Sequence, residues 1–262
     1  MNVTTTAHDT TAAPTTVAPL NLVRLELIES KVASYVRRRC RQSLDAPDLR
    51  YTVHMALEGL DIGDFVRPFQ IQRPRGGVIP ILAYGRPEKR IRNYLTLSTD
   101  VDMERLMMLD LSTLMSKPMP YEFAPGEEFN FEVEVVPTYR YRDAEGKERE
   151  KDAFLIEKAT NPEVTRDAAY LKWLASREGR LRGAEVFDLT FDDLQFPKNF
   201  LRAQLRKGET ERRINCPRLP NATFKGRLRV TDPAAFLATV SQGVGAHHHM
   251  RGFGFLKLFP CM

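Results

Sequence analysis

Apolar residues follow two rhythms along this chain, a period of two that builds strands and a period near 3.6 that builds helices. Leu20 to Ile28 is dense in apolar positions and predicts a first strand. A basic segment follows, Arg37-Arg38-Arg39-Cys40-Arg41, and then Asp45-Ala46-Pro47, an initiation signal with proline near the first helical turn. In the helix so predicted, Leu49, Val53, Ala56, Leu57 and Leu60 form a core stripe, and Tyr51, His54 and Glu58 share another face. Arg67–Arg73 and Val78–Tyr84 read as a strand pair around the turn Pro74–Gly77. Asp100–Leu114 has helical spacing, and Phe129, Phe131, Val133 and Val135 alternate with polar residues as a half-buried strand does.

Beyond this unit, Asn161-Pro162-Glu163 opens a helix predicted to run to Gly179 with Leu171, Trp173 and Leu174 on it. Val186–Phe191 alternates as a strand, and a basic hairpin with its tip at Lys207–Thr210 follows. Phe224, Gly226, Leu228 and Val230 then face one side of a strand, with Lys225, Arg227 and Arg229 on the other. Asp232-Pro233 caps another helix, which ends in a doubled glycine motif, Gly243-Val-Gly245 and Gly252-Phe-Gly254, ahead of a C-terminal strand. The first unit's order of strand, helix, two strands, helix, strand is the ferredoxin-like βαββαβ pattern. A second such unit follows, its first helix without an obvious signal. The expected class is α+β with two tandem ferredoxin-like domains: residues 20–158, a linker helix at 159–182, and 183–262.

Composition narrows the classes. Thirty-nine Lys+Arg against 34 Asp+Glu make the chain mildly basic, so the position of charge matters more than its total. Cys40, Cys216 and Cys261 are odd in number and far apart, which argues against a disulfide framework or a zinc site and fits a reducing cytoplasm. No apolar run approaches the ~20 residues of a membrane span. Residues 1–19, rich in Thr, Ala and Pro, read as a disordered tail rather than a secretory signal. His247-His248-His249 carries no metal expectation, because consecutive side chains diverge and no partner carboxylate or cysteine stands at ligand spacing; it reads as solvated loop or RNA contact.

Four segments carry a family resemblance: the terminal strand, helix and glycine loop from Phe224 to Leu256; Tyr51-Thr-Val-His54, similar to a Tyr-x-x-His on the first long helix; the strand end Val136-Pro137-Thr138 with a basic hairpin near Gly146-Lys147; and Lys172-Trp173-Leu174. Together they resemble the RAMP superfamily, and within it the CasE (Cse-type) CRISPR RNA endoribonucleases of type I-E Cascade. The chain departs from that family in the glycine loop, where Ala246-His247-His248-His249-Met250 replaces an expected Arg or Lys and a shorter spacer.

The resemblance implies cleavage of CRISPR repeat RNA without cofactor or metal, by attack of the RNA's own 2′-hydroxyl, giving a 2′,3′-cyclic phosphate and a 5′-hydroxyl. Histidine suits the proton transfers because its reference pKa of ~6.5 lies near working pH. His54 is the expected general acid/base, and Tyr51, one turn away, is implied to orient the 2′-hydroxyl or scissile phosphate. The expected RNA contacts are Arg37, Arg38, Arg41, Arg202, Arg206, Lys207, Arg212, Arg213, Lys225, Arg227 and Arg251, with Gly243 and Gly245 offering backbone N–H groups to phosphate. The implied partners are the repeat hairpin and other Cascade subunits. A non-catalytic RAMP-fold scaffold that only binds crRNA is the alternative, in which Tyr51 and His54 have no role.

Overall fold

The computed structural model describes residues 20–39, 48–119, 122–142, 145–146, 148–176, 180–197, 201–202, 214–215, 218–245 and 248–261. The first unit comprises β1 (Asn21–Ile28), α1 (Glu29–Arg39), α2 (Leu49–Gly59), β2 (Phe69–Ile71), β3 (Val78–Gly85), α3 (Glu88–Leu97), α4 (Met103–Leu106) and β4 (Met115–Pro118). Its antiparallel sheet has the order β2-β3-β1-β4. The second unit comprises β5 (Glu128–Val135), a hairpin of β6 (Thr138–Arg142) and β7 (Glu148–Asp152), α5 (Ala153–Thr160), α6 (Arg166–Ala175), β8 (Ala184–Gln195), the short pair β9 (Leu201–Arg202) and β10 (Ile214–Asn215), β11 (Asn221–Val230), α7 (Pro233–Gln242) and β12 (Lys257–Pro260). Its sheet has the order β12-β5-β11-β8. Taken in chain order, both sheets place the fourth strand beside the first, then the third, then the second, so the same ferredoxin-like topology occurs twice.

Alternation sets a strand's buried face without naming its partner, and there the sequence expectation is corrected. The strand at Phe129–Val135 pairs with β11 and β12, matching Phe131 to Gly226 and Val133 to Phe224, and so opens the second sheet instead of closing the first. The first sheet is closed by β4, which pairs with β1. Boundaries at 158 and 182 therefore do not follow the sheets. The segment expected to be a linker helix from Asn161 forms α6 only from Arg166, after α5 has ended at Thr160, and its Tyr170, Trp173 and Leu174 are buried in the second core. It supplies the first-helix position of the second unit.

Two further differences have local causes. Asp100–Leu114 is not one helix, because Asp102 accepts from the Arg105 N–H at 2.9 Å and Asp110 from the Ser112 N–H at 2.9 Å, each starting a short turn of its own. The helix of that half is α3, which buries only Ile91 and Leu95 and so gives a thin pattern. The basic triplet Arg37–Arg39 ends α1, a helix with no earlier signal, whose Val32, Tyr35 and Val36 are buried. Glu29 in its first turn and the arginines in its last complement the helix dipole.

The first sheet has apolar residues on both faces. Val23, Leu25 and Leu27 pack into the first core beneath α1 and α2, while Leu22, Leu82 and Tyr84 pack against the second core. The Tyr84 hydroxyl donates to the Leu256 carbonyl at 2.8 Å, and its ring stacks on Phe255 with centroids 4.5 Å apart. This apolar seam fixes one unit against the other and brings the end of the chain to α2.

Candidate active site

Helix α2 begins at Asp48, whose carboxylate accepts from the Arg50 N–H at 3.0 Å. Val53, Ala56 and Leu57 are driven into the core, which turns His54 and Glu58 to the outer side of the helix. His54 is half-buried. Tyr51 is almost fully enclosed, at 3 % exposure, so it offers RNA very little surface.

The second unit supplies the other half of the site. Helix α7 is capped by Asp232, which accepts from the Ala234 and Ala235 N–H groups at 3.1 Å each, and it ends at Gly243. From there the chain makes a closed loop: the Gly243 N–H donates to Thr239 O, Val244 N–H to Gly254 O and Gly254 N–H to Glu134 O, each at 2.8 Å. Within it, His249–Arg251 form a single tight turn that packs on α2. Gly254 has φ of 80°, and an added Cβ would meet Val244 O at 2.5 Å and His249 Cδ2 at 2.7 Å. The glycines thus serve a close chain crossing. The N–H of Gly243, expected to cradle phosphate, is already spent on its own helix.

This loop delivers Arg251 to α2. Arg251 is 9 % exposed, and burial lowers its pKa, opposed by Asp48, Glu150 and Tyr51 in that order. A guanidinium keeps its charge there. The pKa of His54 is lowered first by burial, against a raising effect from Glu58, and further by the charges of Arg251 and Arg67. Its imidazole is therefore neutral at neutral pH and able to accept a proton. Arg67 is anchored by Glu58 at 2.6 Å and Asp64 at 3.2 Å.

The histidine run is also corrected in its described part. His248 Nε2 lies 2.8 Å from the Glu150 carboxylate, and His249 Nε2 lies 3.3 Å from the Val244 carbonyl. Burial lowers the His249 pKa, and its ring fills the space between Gly243 and Gly254. Neither is a solvated loop residue; His247 lies outside the described residues. No group of three or more His, Cys, Asp or Glu able to hold a metal occurs among the described residues.

The remaining expected RNA contacts are dispersed. Arg37 and Arg38 lie exposed at the end of α1, where Arg38 pairs with Glu104. Lys225 pairs with Asp192 at 2.8 Å, and Arg227 with Glu128 at 2.8 Å and Asp188 at 3.4 Å, so carboxylates cancel their charge on the outer face of β11. Gly245 packs against Trp173, its Cβ direction meeting the indole at 3.5 Å. The backbone of Arg202 is in β9; Arg41, Arg206, Lys207, Arg212 and Arg213 lie outside the described residues. Arg50 and Arg67 were missed in the sequence, since neither has a motif of its own; their position beside Tyr51-x-x-His54 and before Pro68 was the only available signal.

Tandem ferredoxin-like units joined through an apolar seam, with His54 and Arg251 brought together from opposite ends of the chain, define the class of protein. The chain belongs to the CRISPR associated protein family, whose sequence profile matches residues 83–260. Solved structures share its fold across nearly the whole chain. The CRISPR endoribonuclease Cse3 bound to a 19-nucleotide RNA is 20 % identical with a TM-score of 0.51, covering 93 % of this chain and 100 % of that one. Cse3 of Thermus thermophilus bound to an RNA representing a pre-cleavage complex is 19 % identical with a TM-score of 0.53, at 93 % and 100 % coverage. The CRISPR-associated protein Cas6e of Escherichia coli K-12 is 17 % identical with a TM-score of 0.52, at 92 % and 100 % coverage. No curated protein matches the chain. Among the described residues, no helix is long and apolar enough to cross a membrane.

Proposed function

We propose that this protein is a CasE-type endoribonuclease that cleaves CRISPR repeat stem-loops in precursor crRNA by 2′-hydroxyl attack, without a metal, and remains on the hairpin as a Cascade subunit. The observation that carries this reading is the packing of the His249–Arg251 turn, with its buried cation Arg251, on the helix that bears the neutral, half-buried His54. Neutral His54 takes the proton from the 2′-hydroxyl as the oxygen attacks phosphorus, and returns a proton to the leaving 5′-oxygen. Arg251 stabilises the charge that grows on the phosphorane oxygens, in a site where burial strengthens the interaction. Tyr51, one turn before His54 on α2, orients the 2′-hydroxyl or scissile phosphate through the small surface it leaves open. The fold shared with RNA-bound Cse3 structures supports a repeat-RNA substrate.

A-form RNA hides its base edges in a deep groove, so the stem is bound through phosphates and shape. Arg37, Arg38 and Arg202, with Arg41, Arg206, Lys207, Arg212 and Arg213, carry the charge for that contact. The test is incubation with repeat RNA in EDTA, comparing wild type, His54→Ala and a substrate with a 2′-deoxy at the cut site. Wild type is expected to cut, His54→Ala to lose roughly 10²–10⁴-fold in rate, and the deoxy substrate to remain whole. Cleavage of the deoxy substrate, or a need for added metal, refutes the mechanism. Binding by wild type without any cutting establishes the scaffold alternative.

A further inference from the structure

One side chain ties the helix carrying His54 to the turn carrying Arg251. Arg50 stands on α2 four residues before His54, so the two share a helix face. Its guanidinium crosses between the units: Nη1 donates to the Arg251 carbonyl at 3.2 Å and to the Gly252 carbonyl at 3.1 Å, and Nη2 donates to the Glu134 carboxylate. Its Cζ also lies 4.1 Å from the centre of the Phe253 ring. Glu134 engages the same loop a second time, since its carbonyl accepts the Gly254 N–H at 2.8 Å. Arg50 is mostly covered, with 18 % of its side chain exposed. Two carbonyls, a carboxylate and a ring face match the planar fork of arginine, which a lysine ammonium does not reproduce.

We infer that Arg50 is a positioning residue, a strut that sets the separation of Arg251 and His54 across the junction of the two units. It touches no reacting atom and acts through the backbone of the turn bearing Arg251. The inference rests on the reading of His54 and Arg251 as the cleavage machinery. The strut also has a consequence independent of cleavage: when it is cut, Arg251 is released and its charge no longer bears on the His54 imidazole.

The test compares wild type with Arg50→Ala, Arg50→Lys, Arg251→Ala and the double variant Arg50→Ala/Arg251→Ala. Single-turnover cleavage at saturating repeat RNA in EDTA and RNA affinity are measured, and His54 is titrated by NMR of its ring protons. Arg50→Ala is expected to lose roughly 30–100-fold in cleavage rate while RNA affinity stays within about threefold, because displacing one reacting group by about an ångström costs on this scale. Arg50→Lys is expected to recover only a small part. The double variant is expected to lose no more than Arg251→Ala alone, the signature of two residues acting in one path. Losses that multiply, or an unchanged rate in Arg50→Ala, overturn the inference. Where wild type binds RNA but does not cut it, the function proposed above fails and the titration decides the strut. The His54 pKa should then rise in Arg50→Ala to the value found in Arg251→Ala and no further in the double variant; an unchanged titration overturns it. If Arg50→Ala does not fold, Arg50→Met takes its place, keeping the apolar stem over Phe253 while removing the fork.

Discussion

Substituting Gly254 by alanine tests the closed loop that carries Arg251. The residue has φ of 80°, where a side chain costs about 1–2 kcal/mol. The new Cβ would stand 2.5 Å from Val244 O, a backbone atom that cannot rotate away. Relieving that overlap pulls apart two hydrogen bonds of 2.8 Å, Val244 N–H to Gly254 O and Gly254 N–H to Glu134 O. At about 1 kcal/mol net for each bond, the total cost is about 3–4 kcal/mol. Gly76→Ala is the matched control: its φ is 60° and nothing lies within 4 Å of the added carbon, so only the backbone cost applies. The loss of unfolded-state freedom is common to both substitutions and cancels. The expected difference is about 2 kcal/mol, or roughly 4–8 °C in melting temperature for a chain of this size. It is measured by urea and thermal unfolding of the two variants side by side. Equal shifts for Gly254→Ala and Gly76→Ala would show that the loop is not closed as described.

Both His54 and His249 have folded-state pKa values below 6.5, with burial as the main cause, so the unfolded chain binds their protons more readily than the folded one. Stability should therefore rise with pH across the window from those lowered values up to 6.5, and His54→Gln/His249→Gln should flatten the rise in calorimetry over that range. The cleavage rate should rise through the lowered His54 value and level off above it, in a pH–rate profile under single turnover. In RNA binding, Arg37→Ala should reduce the slope of log affinity against log salt by about 1, and Lys225→Ala/Arg227→Ala should leave it nearly unchanged, because carboxylates already neutralise those two cations. A salt titration of both variants beside wild type checks both statements.

Much of the local structure was legible in the sequence because it depends on neighbours along the chain. The dense apolar run Leu20–Ile28 marked a strand, Asp232-Pro233 a helix start, and the stripe Val53, Ala56, Leu57 and Leu60 the buried side of α2, leaving His54 outside, although Leu49 of the same stripe is exposed. A turn between β2 and β3 followed from Pro74–Gly77. Pattern strength failed where burial is sparse, as in α1 and α3, and where aspartates restart a turn, as at Asp102 and Asp110.

What the sequence determined by itself was the core strands β1, β3, β5, β8 and β11, the helices α2 and α7, and the outward placement of His54 one turn from Tyr51. The tertiary structure alone decided which sheet received β5, because alternation at Phe131 and Val133 specifies a face and leaves the partner open. It alone also decided which cation stands on the turn packed against the helix of His54. Arg37 and Arg38 are nearer in sequence, yet Arg251 is brought in from the far end of the chain by the Tyr84–Phe255 seam and held by Arg50. No local period encodes that meeting, since it follows from the burial of apolar surface between two units and from hydrogen bonds spanning about two hundred residues.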